Sequence, residues 1–105
     1  MLKGPRPLNN EFAAEVRAGG LFATPGALER FAPEQLKTAL RRHMALDWAD
    51  MDEEDRAANL RAAMEGGARV LGAFRCRVTP EQDPDLWIIT EADRSMTTFL
   101  LPEEY

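Results

Sequence analysis

The chain reads as an α+β domain, with N-terminal helices packed on a three-stranded antiparallel C-terminal meander. Three observations carry this reading. Apolar residues recur every three to four positions up to Gly66-Gly67 and every second position beyond it, a change from helical to strand period. Pro25, Pro33 and Gly66-Gly67 punctuate the helical part where helices start and stop. The apolar runs after Val70 are joined by connections too short for a crossover, so they pair as hairpins. A length of 105 residues has room for one core, so residues 1–105 form a single domain.

Residues 1–8 hold prolines, a glycine and basic groups and read as a loose lead-in. Asn9 or Asn10 caps a short helix through Ala18, which Gly19-Gly20 ends. Leu21-Phe22-Ala23 is a short strand or an extended link. Thr24-Pro25-Gly26-Ala27 starts a helix, with threonine as N-cap and proline in the first turn. Pro33 starts a second helix along which Leu36, Leu40, His43 or Met44, and Asp47 follow at spacings of three to four, with His43 at the C-terminal edge of the leucine stripe. A third helix starts near Asp50, capped by Asp50 with Glu53 three residues on, and buries Ala57, Leu60 and Met64. From Val70 to Val78 the alternation is that of a strand, with Val70, Gly72, Phe74, Cys76 and Val78 on one face. Leu86 to Thr90 is a short apolar strand, Ala92 to Ser95 turn the chain, and Met96 to Leu101 return it.

Charge narrows the function. The net charge is −5, placed unevenly: residues 1–46 carry seven basic and four acidic groups, residues 47–105 six basic and fourteen acidic. Such a surface disfavours direct contact with nucleic-acid phosphates, which need Lys and Arg, and suits a basic protein surface. Mere solubility is the simpler account of the same charge. No apolar run reaches the length of about 20 residues that spans a bilayer. No apolar segment of secretory type follows the N-terminus, and a single cysteine, Cys76, fits a reducing compartment; a cytoplasmic location is expected.

The acidic maximum is Asp47-Trp48-Ala49-Asp50-Met51-Asp52-Glu53-Glu54-Asp55. His43 and Asp47 stand four apart, the spacing of a helical pair. A carboxylate holding an imidazole is a general-base device, and a histidine at the negative end of a helix is also a common terminator. Phosphate-binding groups are sparse around it, so the structural role is preferred. Asp50, Asp52 and Glu54 imitate alternating calcium ligands, but the glycine and closing glutamate of a calcium loop are missing. Cys76 has no second cysteine or histidine at metal-ligand spacing. No catalytic residue, metal site or cofactor is therefore assigned. The candidate partner-binding residues are Trp48, Asp50, Asp52, Glu53, Glu54 and Asp55 in the acidic run, with Asp93 and Arg94 at the charged hairpin tip.

Several phrases of the chain carry a resemblance: Thr24 to Leu28, His43 with Asp47-Trp48, Asp52 to Asp55 with Asn59, and Glu65 to Leu71. Above all, Trp87-Ile88-Ile89-Thr90-Glu91-Ala92-Asp93-Arg94-Ser95 runs on through Thr97 to Tyr105. In these the chain resembles a family of small uncharacterised bacterial proteins often carried on plasmids and other mobile elements. The resemblance covers about residues 21–105, with Ala49 where the pattern tends to have glycine. It implies a mobile-element setting and transfers no catalytic residue. The expected function is a small acidic non-enzymatic interaction protein, an anti-defence inhibitor that binds a host protein. The alternatives are a small RNase toxin of barnase/RelE-like fold and a structural homodimer joined through an edge strand. A basic cleft around His43 would favour the toxin, and an acidic ridge the inhibitor.

Overall fold

The computed structural model of the protein describes residues 4–7, 20–76 and 84–105, with Arg6 and Pro7 described by their backbone alone. The element order is β1 (Arg6–Pro7), β2 (Gly20–Ala23), α1 (Pro25–Arg30), α2 (Pro33–Met44), α3 (Glu53–Glu65), β3 (Val70–Arg75), β4 (Asp85–Thr90), β5 (Met96–Leu100) and a closing 3-10 turn (Pro102–Glu104). The α+β class holds. The expected helix from Asn9 or Asn10 to Ala18 and the strand positions Arg77 and Val78 lie outside the described residues.

The meander is present: β3 pairs antiparallel with β4, and β4 with β5. It is part of a larger mixed sheet of order β1-β2-β5-β4-β3. The three-stranded expectation is corrected here, because β2 adds parallel to β5, pairing Leu21 with Thr97 and Ala23 with Phe99. The Gly20 N–H to Ser95 O and Thr24 N–H to Phe99 O bonds extend that pairing at both ends. Partners so far apart in sequence leave no local signal, and a four-residue strand has too few positions to show a period.

Register puts Val70, Gly72, Phe74, Leu86, Ile88, Thr90, Thr97, Phe99 and Ala23 on one face. The helices cover this face, and its apolar members join Ala27, Phe31, Leu36, Ala39, Leu40, Trp48 and Ala62 in one core. α1 begins as expected: the Thr24 hydroxyl accepts from Ala27 N, and Pro25 fills the first turn. The chain's end locks this helix in place. The Glu104 carboxylate accepts from the Thr24 hydroxyl, Gly26 N and Leu101 N, and a Cβ on Gly26 would meet that carboxylate at 2.6 Å. α3 stops at Gly66 and Gly67, whose φ of 75° and 80° are the left-handed angles glycine takes most easily.

The third helix departs from expectation at both its start and its face. Its N-cap is Asp52, which accepts from Asp55 N at 2.8 Å, and not Asp50. Its buried residues are Asn59 and Ala62, whereas Leu60 and Met64 are 47% and 74% exposed and Ala57 is exposed. The stripe Ala57-Leu60-Met64 therefore points outward.

Candidate functional site

The acidic run breaks into three parts with different duties. Asp47 and Asp50 both bind Arg42, at 3.1 and 3.0 Å, and the guanidinium also lies 5.2 Å from the centre of the Phe74 ring. The bond from Arg42 is the main reason that the Asp47 carboxyl sits below its usual range. Asp50 is held low first by the Arg75 N–H, which it accepts at 3.0 Å, and then by Arg42. Asp52 caps α3. Only Glu53, Glu54 and Asp55 remain as exposed charges of the helix's first turn.

The bond from Arg75 to Asp50 belongs to a series. β3 is an edge strand, and side chains from residues 50–59 occupy its outer rim. The Asn59 amide donates to Leu71 O at 2.7 Å and accepts from Leu71 N at 3.3 Å. Met51 Sδ accepts from Ala73 N at 3.4 Å, and Asp50 takes Arg75 N. Alternate backbone groups along the rim are thus saturated by side chains, which prevents another strand from adding there. A homodimer joined through β3 would have to break these bonds. Polar Asn59 is buried inside a helix because its amide imitates a neighbouring strand.

His43 is not paired with Asp47, whose carboxylate turns to Arg42 instead. The imidazole is 3% exposed and sits edge-on to the Trp48 and Phe74 rings. Trp48 Nε1–H donates to His43 Nδ1 at 3.2 Å. Indole nitrogen is only a donor, so Nδ1 is the acceptor and Nε2 carries the hydrogen. That hydrogen goes to Thr90 Oγ1 at 3.1 Å, and Thr90 lies 2.9 Å from Thr97 Oγ1. The network rests on Gly72, where a Cβ would come within 2.6 Å of His43 Nδ1 and 2.9 Å of Trp48 Nε1. Burial, helped by the charge of Arg94, lowers the His43 pKa to about 4. At neutral pH the ring is uncharged, so it is not the cationic helix terminator that the sequence admits. Both nitrogens are engaged, and neither is free to accept a substrate proton.

The candidate residues outside the acidic run have local duties. Asp93 Oδ1 accepts from Ser95 N at 2.9 Å and shapes the hairpin turn. Arg94 takes a φ of 62° and folds back, donating to Ala68 O, Glu91 O and Ala62 O. It places a cation at the C-terminus of α3, whose last turn has no basic residue. Trp48, 3% exposed, is a core residue rather than a projecting anchor.

The end of α2 and the outer side of α3 also expose apolar side chains. Among the described residues, four of the five exposed large hydrophobic ones, Met44, Leu46, Leu60 and Met64, belong to the end of α2 and the outer side of α3. A groove of about 270 Å³ runs between Leu46, Ala57 and Leu60, with Glu53 and Arg56 on its rim and Trp48 beneath. Leu46 sits in a strained backbone position. α2 closes in a Schellman turn, with Leu46 N–H on His43 O at 3.2 Å and Asp47 N–H on Arg42 O at 2.9 Å. The turn forces Leu46 to a φ of 62°, a position glycine usually fills, and leaves it 42% exposed. The Cβ there costs on the order of 1–2 kcal/mol. Sequence reasoning passed over Leu46 because its backbone angle has no signature in composition or period.

No protein-family model, no curated protein and no solved structure matches the chain. Among the described residues no three His, Cys, Asp or Glu side chains converge on a common point, and no helix is long and apolar enough to cross a membrane.

Proposed function

We propose that this chain is a non-enzymatic interaction protein whose docking face is the outer side of α3 with Leu46. The observation that supports it is the strained, exposed leucine. Backbone strain of this kind clusters at functional sites, and here it holds a partly exposed apolar side chain beside exposed Leu60. Leu46, Ala57 and Leu60 supply an apolar centre, and Glu53, Glu54 and Asp55 supply an acidic margin at one end. An apolar centre with a charged rim is the usual anatomy of a protein interface. The margin suits a partner of opposite charge, a basic protein surface of the kind that grips nucleic acid. The mobile-element setting and an anti-defence role rest on the sequence resemblance and belong to the same proposal.

The competing reading, an RNase toxin, is weakened by His43. A general base needs an accessible nitrogen with a pKa near the working pH, and this ring offers neither. The proposal is tested by affinity capture from a host lysate with the wild type and with Leu46→Gly, Leu60→Ser and Glu53→Gln/Glu54→Gln/Asp55→Asn. A basic protein retained by the wild type and lost from all three variants is expected. Equal retention by all of them, or RNA cleavage that His43→Gln abolishes, would overturn it.

A further inference from the structure

A second concavity adjoins the docking groove and shares Leu46 as a wall. It measures about 290 Å³ and lies between the end of α2, the end of α3 and the β4–β5 turn. Met44, Leu46, Ala63 and Val70 make it apolar, while His43, Thr90 and Arg94 are its polar members. Leu46 and Arg94 are the only non-glycine residues with positive φ among the described residues, and both line this space. Backbone strain concentrated on one cavity points to a use for it.

The polar members are not equivalent. His43 and Thr90 satisfy each other, and Thr90 continues to Thr97. Arg94 differs. Its Nη1 hydrogens go to Ala68 O and Glu91 O, and one Nη2 hydrogen goes to Ala62 O. A guanidinium has five N–H donors, so Nε–H and the second Nη2–H have no acceptor among the described residues. No carboxylate pairs with it there. Its three acceptors are uncharged carbonyls, and the negative end of α3 offsets only about half a unit of its charge. A half-buried guanidinium in an apolar wall, carrying spare donors and a residual positive charge, favours an anion.

We propose that the cavity between Met44, Leu46, Ala63 and Val70 binds a small organic anion, a carboxylate with a short apolar body, whose charged head meets Arg94. The volume is at the low end for ligand pockets, which excludes a nucleotide or a folded peptide segment. The apolar body replaces water on Met44 and Leu46, and the head takes the spare N–H groups. The cavity shares Leu46 with the docking groove, but Met44, Ala63, Val70 and Arg94 lie outside that groove, and the variants at Arg94 and Ala63 separate the two readings.

The test uses octanoate, 1-octanol and octylammonium as probes of the full chain, followed by amide chemical shifts on titration. Octanoate is expected to saturate, with shifts centred on Leu46, Ala63, Val70 and Arg94, and to bind at least tenfold tighter than octylammonium. Arg94→Gln should lower octanoate affinity at least tenfold while leaving binding of 1-octanol unchanged. Because Arg94 also secures the end of α3, Ala63→Leu serves as a second variant: it narrows the cavity, keeps every Arg94 bond, and should abolish octanoate binding. Octylammonium binding as tightly as octanoate, no saturable shift at these residues, or full octanoate affinity in Ala63→Leu would overturn the proposal.

Discussion

Lowering the pH from 7.5 to 5.0 should destabilise this protein through one residue. His43 titrates near 6.5 when unfolded and is pushed to about 4 when folded. The unfolded chain therefore takes up a proton that the folded core refuses, and the stability that His43 contributes is complete above pH 6.5. It falls with pH through the window from 6.5 to 4, at up to about 1.4 kcal/mol per unit. Between pH 7.5 and 5.0 the two pKa values give a loss of about 2 kcal/mol. The physical source is plain: a proton on Nδ1 would face the Trp48 N–H, two donors 3.2 Å apart over Gly72. Asp47 and Asp50, whose pKa values are lowered, lose their contribution only as the pH drops below the ordinary carboxylate value, so the windows separate. Urea unfolding followed by Trp fluorescence at half-unit pH steps measures the slope. His43→Gln, which keeps a donor and an acceptor but cannot titrate, should flatten it between pH 4.5 and 6.5. A wild type whose midpoint is unchanged from pH 7.5 to 5.0 would refute the buried, neutral assignment.

Other substitutions report on other parts of the account. Asn59→Leu strands the Leu71 N–H and C=O on the β3 rim and should cost about 2–4 kcal/mol by chemical denaturation, with concentration-dependent association as the edge opens. Gly72→Ala should be destabilising by several kcal/mol and shift Trp48 emission to the red, because its Cβ enters the space of the His43–Trp48 bond. Asp52→Ala should cost about 1 kcal/mol through the lost cap. Neutralising Glu53, Glu54 and Asp55 together should leave thermal stability within about 1 kcal/mol, yet slow association with a basic partner and remove its salt dependence.

The parts of the fold that were legible in the sequence are those with local causes. Thr24-Pro25 opens a helix because the hydroxyl caps it and proline fits its first turn. Gly66-Gly67 closes one because only left-handed angles fit there. The alternation Val70-Gly72-Phe74 marks a strand because one face is buried. What stayed hidden depends on partners distant in sequence. The parallel pairing of β2 with β5 joins segments that nothing local relates. The outward turn of Ala57, Leu60 and Met64 is not legible because helical spacing shows that a stripe exists, not which side the core lies on. Asn59 is the deciding residue, since its bonds to Leu71 fix the rotation of α3 and send the apolar stripe outward. The acidic run looked like one feature because its charges are contiguous, whereas Arg42, Arg75 and the α3 N-terminus divide them.

The docking face on the outer side of α3 stands or falls with Leu46→Gly. Glycine relieves the left-handed strain at the end of α2 and removes an exposed apolar side chain. The expected variant is about 1 kcal/mol more stable in urea denaturation and loses the partner captured by the wild type. A variant that is destabilised, or that keeps the partner at full affinity, would contradict it and return Leu46 to the role of an ordinary packing residue.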